Sequence, residues 1–217
     1  RRRRRLSAIK SPFNAQLDED MAAMRGVLAN PAVFDQPDRL HALVLGNVTD
    51  GRTLLDLLAA LALLYRPRLL VFLYTGHGSG DTPAKLHFLQ RPVGAVQLAP
   101  LLRACRAKTT LVLLDCCFST GIFYHISFPG LAVVPACGDN QRVTTGFTSK
   151  ILVPVLLGVC DQYCQQLGCA GCQDFRNGCV GGRVCVLPLV EHLRHHLRVR
   201  VAEDDEEEGE RGGGGSK

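Results

Sequence analysis

An α/β fold, built as a three-layer αβα sandwich around a mostly parallel central sheet, is what this sequence of 217 residues predicts. Three observations point to it. The runs at residues 69–74, 110–114 and 131–134 are apolar throughout rather than alternating, as in strands covered on both faces. Segments with helical spacing separate them along the chain. A His and a Cys then stand just past the ends of two of these runs, on the sheet edge where such folds collect their chemistry.

The elements follow in order. Residues 6–9 form a short candidate strand. Residues 17–28, with Met21, Met24, Val27 and Leu28 at helical spacing, form a helix stopped by Asn30 and Pro31. A strand at 40–45 ends at Gly46, and a helix at 49–65, apolar nearly all round, stops before Pro67. The strand at 69–74 runs into Thr75-Gly76-His77-Gly78. A weak hairpin pattern at 85–96 leads to a helix at 98–106, followed by strands at 110–114 and 131–134 and a helix at 148–160. Residues 161–182 are rich in Gly and Cys with little periodicity and read as a loop insertion. A short strand and a helix carrying His192, His195 and His196 resume at 183–197. These divisions give a basic run at 1–5, one domain at 6–200 and an acidic, Gly-rich, disordered tail at 201–217 that ends like an engineered linker.

Composition narrows the class. A hydrophobic fraction of 47% supports a real core, which excludes disorder of the whole chain. The longest apolar run, 54–65, contains Asp56 and is cut from the next by Arg66 and Arg68, so no stretch approaches the ~20 residues of a spanning helix. The Arg1 to Arg5 run is offset by the acidic tail after residue 203, so the net charge of +5 is a mild basic excess spread along residues 6–202. With no Trp and no aromatic interleaving, neither nucleic acid nor a membrane is expected as partner. The chain opens on Arg with no apolar signal core behind it and reads as a mature, cut or fragmentary product. Six of the ten cysteines crowd into residues 160–185, and the chain has too much periodic, apolar sequence for a disulfide scaffold, so a reducing, cytoplasmic setting is expected.

Two segments carry chemistry. A thiol peptidase needs a thiolate, an imidazole to manage protons and donors for an oxyanion. His77 lies between two glycines that let a substrate backbone approach. Cys117 follows an apolar strand and precedes the small residues Ser119, Thr120 and Gly121, so its own N–H can point into the same hollow.

Val71-Phe72-Leu73-Tyr74-Thr75-Gly76-His77-Gly78 resembles the histidine motif of the caspase-like cysteine peptidases, and Leu113-Leu114-Asp115-Cys116-Cys117-Phe118-Ser119 resembles their nucleophile motif in its metacaspase and bacterial form. Ala136-Cys137-Gly138-Asp139-Asn140-Gln141, followed by Gly146-Phe147-Thr148, is similar to the segment that ends the next strand and opens the next helix in that family. The likeness spans residues 6–197 in order and at compatible spacing. It implies a caspase-like fold, proteolysis of the kind tied to programmed cell death, Cys117 as nucleophile and His77 as general acid/base. It also implies an oxyanion hole from the N–H groups of Gly78 and Cys117. One departure stands out: the family usually has Gly directly after the motif Ser, whereas Thr120 here precedes Gly121.

The resemblance further implies a pocket for Arg or Lys before the cut. Asp115 lies where animal caspases carry Gln, and a carboxylate there can accept a bidentate guanidinium. Asp20 matches a second acid at the start of the first helix, with Asp18 as the other candidate, and Thr75 matches a small hydroxyl residue lining the pocket. The plainer readings are a strand-end cap for Asp115 and a helix N-terminal acid for Asp20. No cofactor and no metal are expected, calcium included, because the acids outside the tail are isolated. Cys164, Cys169, Cys172 and Cys179 leave structural zinc, a redox role and ordinary thiols open, with thiols preferred. The three histidines near residue 195 read as a helix surface. The resemblance leads to a cysteine endopeptidase acting on protein or peptide substrates; the alternative is a non-catalytic interaction or scaffold domain on the same fold.

Overall fold

The computed structural model describes residues 12–30, 48–80, 83–124, 126–138, 148–153 and 193. The strands expected at 6–9 and 40–45, the cysteine-rich insertion, the C-terminal histidines and the tail lie outside them.

Helix α1 spans Pro12–Leu28. It begins five residues before the expected start, with Pro12 at the first helical position, where a missing N–H costs nothing. Asp20 and Val27 on this helix are both buried. Helix α2, Gly51–Leu64, starts at Asp50, whose side chain accepts from the Arg52 N–H at 2.9 Å. It ends as Tyr65 turns extended ahead of Pro67.

The main sheet follows. Strand β1 is Leu69–Thr75, and across a polar excursion come three short strands, β2 (Gly78–Ser79), β3 (Lys85–Leu86) and β4 (Val93–Gly94). Helix α3 is Ala95–Ala104, strand β5 is Thr109–Asp115, helix α4 is Ser119–Phe123 and strand β6 is Leu131–Pro135. The strands β1, β5 and β6 form a parallel sheet in the order β1-β5-β6, with Leu69 opposite Thr109 through Thr75 opposite Asp115. The molecule is therefore mixed α/β with a three-stranded parallel sheet, and β5 at its centre is buried from Thr110 to Asp115. A parallel central strand needs apolar side chains on both faces, which is why the continuous run at 110–114 reads correctly as a strand.

The hairpin expected at 85–96 is present as β3 and β4, which pair antiparallel, and β2 joins them in a separate sheet of order β2-β3-β4 with two residues to a strand. The expected helix at 98–106 starts at Ala95 because Gly94 caps it: the Gln97 side chain reaches back to the Gly94 N–H at 3.1 Å. The expected helix at 148 opens as a π-helical turn, Thr148–Leu152.

The core joins α2, α3 and α4 to one face of β5. Leu58, Leu98 and Leu102 pack there with Val112, Leu114 and Cys116, and with Leu86 and Val93 of the small sheet. Asp115, one residue out of phase with that set, serves the other side, where Thr148 meets it. Burying a Leu or Val side chain contributes about 1.5–3 kcal/mol, so this cluster fixes the position of β5 and of the residues beyond its end. Among the described residues no helix is long and apolar enough to cross a membrane.

Candidate active site

Parallel pairing places the two motifs side by side. Thr75 and Asp115 are partners at the ends of β1 and β5, and two residues beyond each come His77 and Cys117. Both therefore leave the sheet at the same carboxyl edge.

Gly78 makes the contact close. A Cβ at this position would collide with the Cys117 carbonyl oxygen and press on the Cys116 Sγ. Only glycine lets the histidine segment lie this near the cysteine segment. The His87 N–H donates to the His77 carbonyl at 2.9 Å, so residues 77 and 87 form a hydrogen-bonded position of the β2-β3 ladder. Its neighbour Gly78, opposite Leu86, then directs its N–H away from β3. The hydroxyl of Tyr74, which reaches the carbonyls of His77 (2.9 Å) and His87 (2.8 Å), props the loop from below. Burial pushes the Tyr74 phenol far above its usual range, so it stays a donor. The His77 side chain is exposed.

The cysteine turn is tight. After Asp115 the chain passes through Cys116 and Cys117 to Phe118, whose φ of 56° is left-handed, and enters α4 at once. A non-glycine residue in this region costs about 1–2 kcal/mol, so the surroundings must hold it. They do so through Cys137, just past β6. Ser119 is fully buried; its Oγ accepts from the Cys137 N–H at 3.0 Å and donates to the Cys137 carbonyl at 3.2 Å. Thr120 donates to that same carbonyl through its hydroxyl at 2.6 Å and its N–H at 3.2 Å. The residue that departs from the family motif thus has its own place in the turn.

The two adjacent thiols differ in environment. Cys116 is 2% exposed, and burial first, then the neighbouring Cys137, Asp115 and Cys117, pushes its thiol well above the usual range. It is an inert core group. Cys117 is partly exposed at the sheet edge, and among the described residues its N–H donates to no other group.

Beside this edge two buried carboxylates meet. Asp115 is 5% exposed and Asp20 1%, whereas Asp18 is exposed. Burial is the largest influence on Asp115 and raises its carboxyl above the ordinary range; the hydrogen bonds from Thr148 oppose it, and the charge of Asp20 adds to it. Three donors converge on one oxygen, Asp115 Oδ2: the Thr148 N–H at 3.0 Å, the Thr148 hydroxyl at 2.8 Å and the Thr75 hydroxyl at 3.3 Å. Asp20 Oδ1 accepts from the Ser149 N–H at 3.0 Å and from Gln16 Nε2 at 3.2 Å, and Gln16 also reaches Ser149 Oγ at 3.0 Å. The oxygens left over, Asp115 Oδ1 and Asp20 Oδ2, accept from no described residue, and no Lys or Arg among the described residues pairs with either acid.

His77, Gly78, Cys117, Asp115, Asp20 and Thr75 are thus gathered at one end of the sheet. Sequence reasoning gave no role to Thr148, and it passed over Ser149 and Gln16, because bonds between residues 33 or 129 apart leave no local pattern. Among the described residues no group of three or more His, Cys, Asp or Glu could hold a metal ion, and Cys105, Cys116, Cys117 and Cys137 form no disulfide. Comparison with protein-family models, with curated proteins and with solved structures finds no match to the chain.

Proposed function

We propose that the chain is a cysteine endopeptidase on a caspase-like αβα sandwich, cutting after Arg or Lys. The observation that carries it is the juxtaposition of a partly exposed thiol at Cys117, an imidazole at His77 across the strand pair, and two buried carboxylates that no Lys or Arg among the described residues pairs with. Helices α2, α3 and α4 on one face of β5, with the π-helical turn meeting Asp115 from the other side, support the sandwich.

In this reading Cys117 Sγ attacks the scissile carbonyl carbon and the tetrahedral oxyanion takes hydrogen bonds from the N–H groups of Gly78 and Cys117. His77 accepts the thiol proton and delivers it to the leaving amine. Water, activated by His77, then hydrolyses the thioester. The basic side chain of the substrate enters between Asp115 and Asp20. With Asp115 Oδ2 already holding three donors, an end-on bidentate pair on that carboxylate alone is closed, and the cation shares Asp115 Oδ1 with Asp20 Oδ2. An ammonium can bridge two single oxygens as a guanidinium can, which favours acceptance of both Lys and Arg.

A neutral side chain leaves the carboxylates unpaired and an acidic one is repelled, so discrimination against Asp reaches about a thousandfold or more. Cleavage of matched peptides differing only in Arg, Lys, Ala or Asp before the cut tests the proposal. Efficient cutting after Asp, or no labelling of Cys117 by a thiol-reactive probe ending in Arg, would defeat it.

A further inference from the structure

Two carboxylates facing one another out of water repel, and one of them takes up a proton unless donors hold both charges in place. Here the donors come from neighbouring residues of one turn. Thr148, fully buried, gives its N–H and its hydroxyl to Asp115. Ser149 gives its N–H to Asp20, and its Oγ accepts from the same Gln16 amide that donates to Asp20. The π-helical turn therefore ties α1 to the end of β5 through the two acids, with the Gln16 contact to Ser149 beside them. Resting on the reading above, we infer that Thr148 and Ser149 are positioning residues of the pocket: their donors hold Asp115 and Asp20 and decide which single oxygen each presents, and so set the preference for a cationic side chain.

The groups facing Asp115 can be named. Asp20 approaches from α1, Cys116 from its own strand, Thr75 from β1 and Thr148 from the turn. Among these described residues none is a cation. The Thr148 hydroxyl is one of the two strongest donors that stabilise the ionised form, and a hydrogen bond to a charged group is worth roughly tenfold to a hundredfold in an equilibrium. Thr148→Val keeps the shape and the N–H but removes this donor, whereas Thr148→Ser retains it.

The test uses the full chain and matched peptides carrying Arg or the neutral norleucine before the cut. For the Arg peptide, Thr148→Val is expected to raise KM about tenfold, with kcat little changed, and to move the acid limb of kcat/KM to higher pH. For the norleucine peptide neither moves, and Thr148→Ser restores the parent profile. Gln16→Met, a milder change at the rim of the same network, gives a smaller rise in KM for Arg and covers the case in which Thr148→Val fails to fold. An Arg preference and acid limb left intact in both variants, or an equal loss on both peptides, overturns the inference and leaves the peptidase reading standing. Binding of the Arg peptide to Cys117→Ala, followed by calorimetry, separates the two further. If that peptide binds and Thr148→Val weakens it while no variant cleaves, the positioning role stands and the peptidase reading falls; if nothing binds, both fall.

Discussion

Asp115 concentrates the conflict between folding and chemistry in one side chain. Its carboxyl is raised above the ordinary range by burial. A group that holds its proton more tightly when folded contributes stability that is fully present below the ordinary carboxylate range and is lost as pH rises through its elevated pKa. Asp115→Asn is therefore expected to raise the melting temperature near neutral pH and to have no effect in acid. The amide oxygen still accepts from Thr148, but KM for Arg peptides rises and the gap to neutral ones narrows. Melting curves at two pH values with matched kinetics check this, and a loss of stability at neutral pH would contradict it. At the next two residues, Cys117→Ala is expected to abolish cleavage, whereas Cys116→Ala, which trims a buried and protonated thiol, retains substantial activity. His77→Ala is expected to cost at least ~100-fold. A dead Cys116→Ala beside a live Cys117→Ala would shift the motif by one residue.

The elements that the sequence made legible are those whose surroundings demand a pattern. β5 is buried from Thr110 to Asp115, with α2, α3, α4 and the small sheet packed on one face, and β1 and β6 follow as its parallel partners. The elements it hid are governed by contacts far along the chain. α4 spans five residues, too few for a period, and exists because Cys137 anchors Ser119 and Thr120 at its start. The order of the reactive groups along the chain was readable from the motifs, whereas the donors that hold the two acids were not, since nothing local in Gln16 or Ser149 marks them. The anchor gives a prediction at this scale. Ser119→Ala leaves the Cys137 N–H without its acceptor beside a left-handed Phe118, a loss of roughly 1–3 kcal/mol. Its melting temperature is expected to fall and its kcat to drop, since the turn carrying Cys117 loosens. Differential scanning calorimetry showing the parent melting temperature would refute the anchoring role.

Across the whole molecule, the proposed function makes stability depend on what lies between the paired acids. A basic ligand that binds only the folded state at a hundred times its dissociation constant adds about 2.7 kcal/mol. An Arg-ended peptide is therefore expected to raise the melting temperature of Cys117→Ala by roughly 5–10 °C near neutral pH, and the gain shrinks in acid as Asp115 protonates. A thermal shift of equal size for an Ala-ended peptide would show that the acids play no part. The register that ends with Thr75 opposite Asp115 also has a consequence in time. A chain made from its N-terminus acquires β1 and β5, and with them both reactive groups, while Thr148, 33 residues past Asp115, is still to be added. During that interval the nascent chain can bring a thiol to an imidazole but has no donors from the later turn to keep Asp115 charged. Under the proposed function, reactivity thus comes before discrimination in the life of each molecule, because the turn that holds the acids is made after the His and Cys segments.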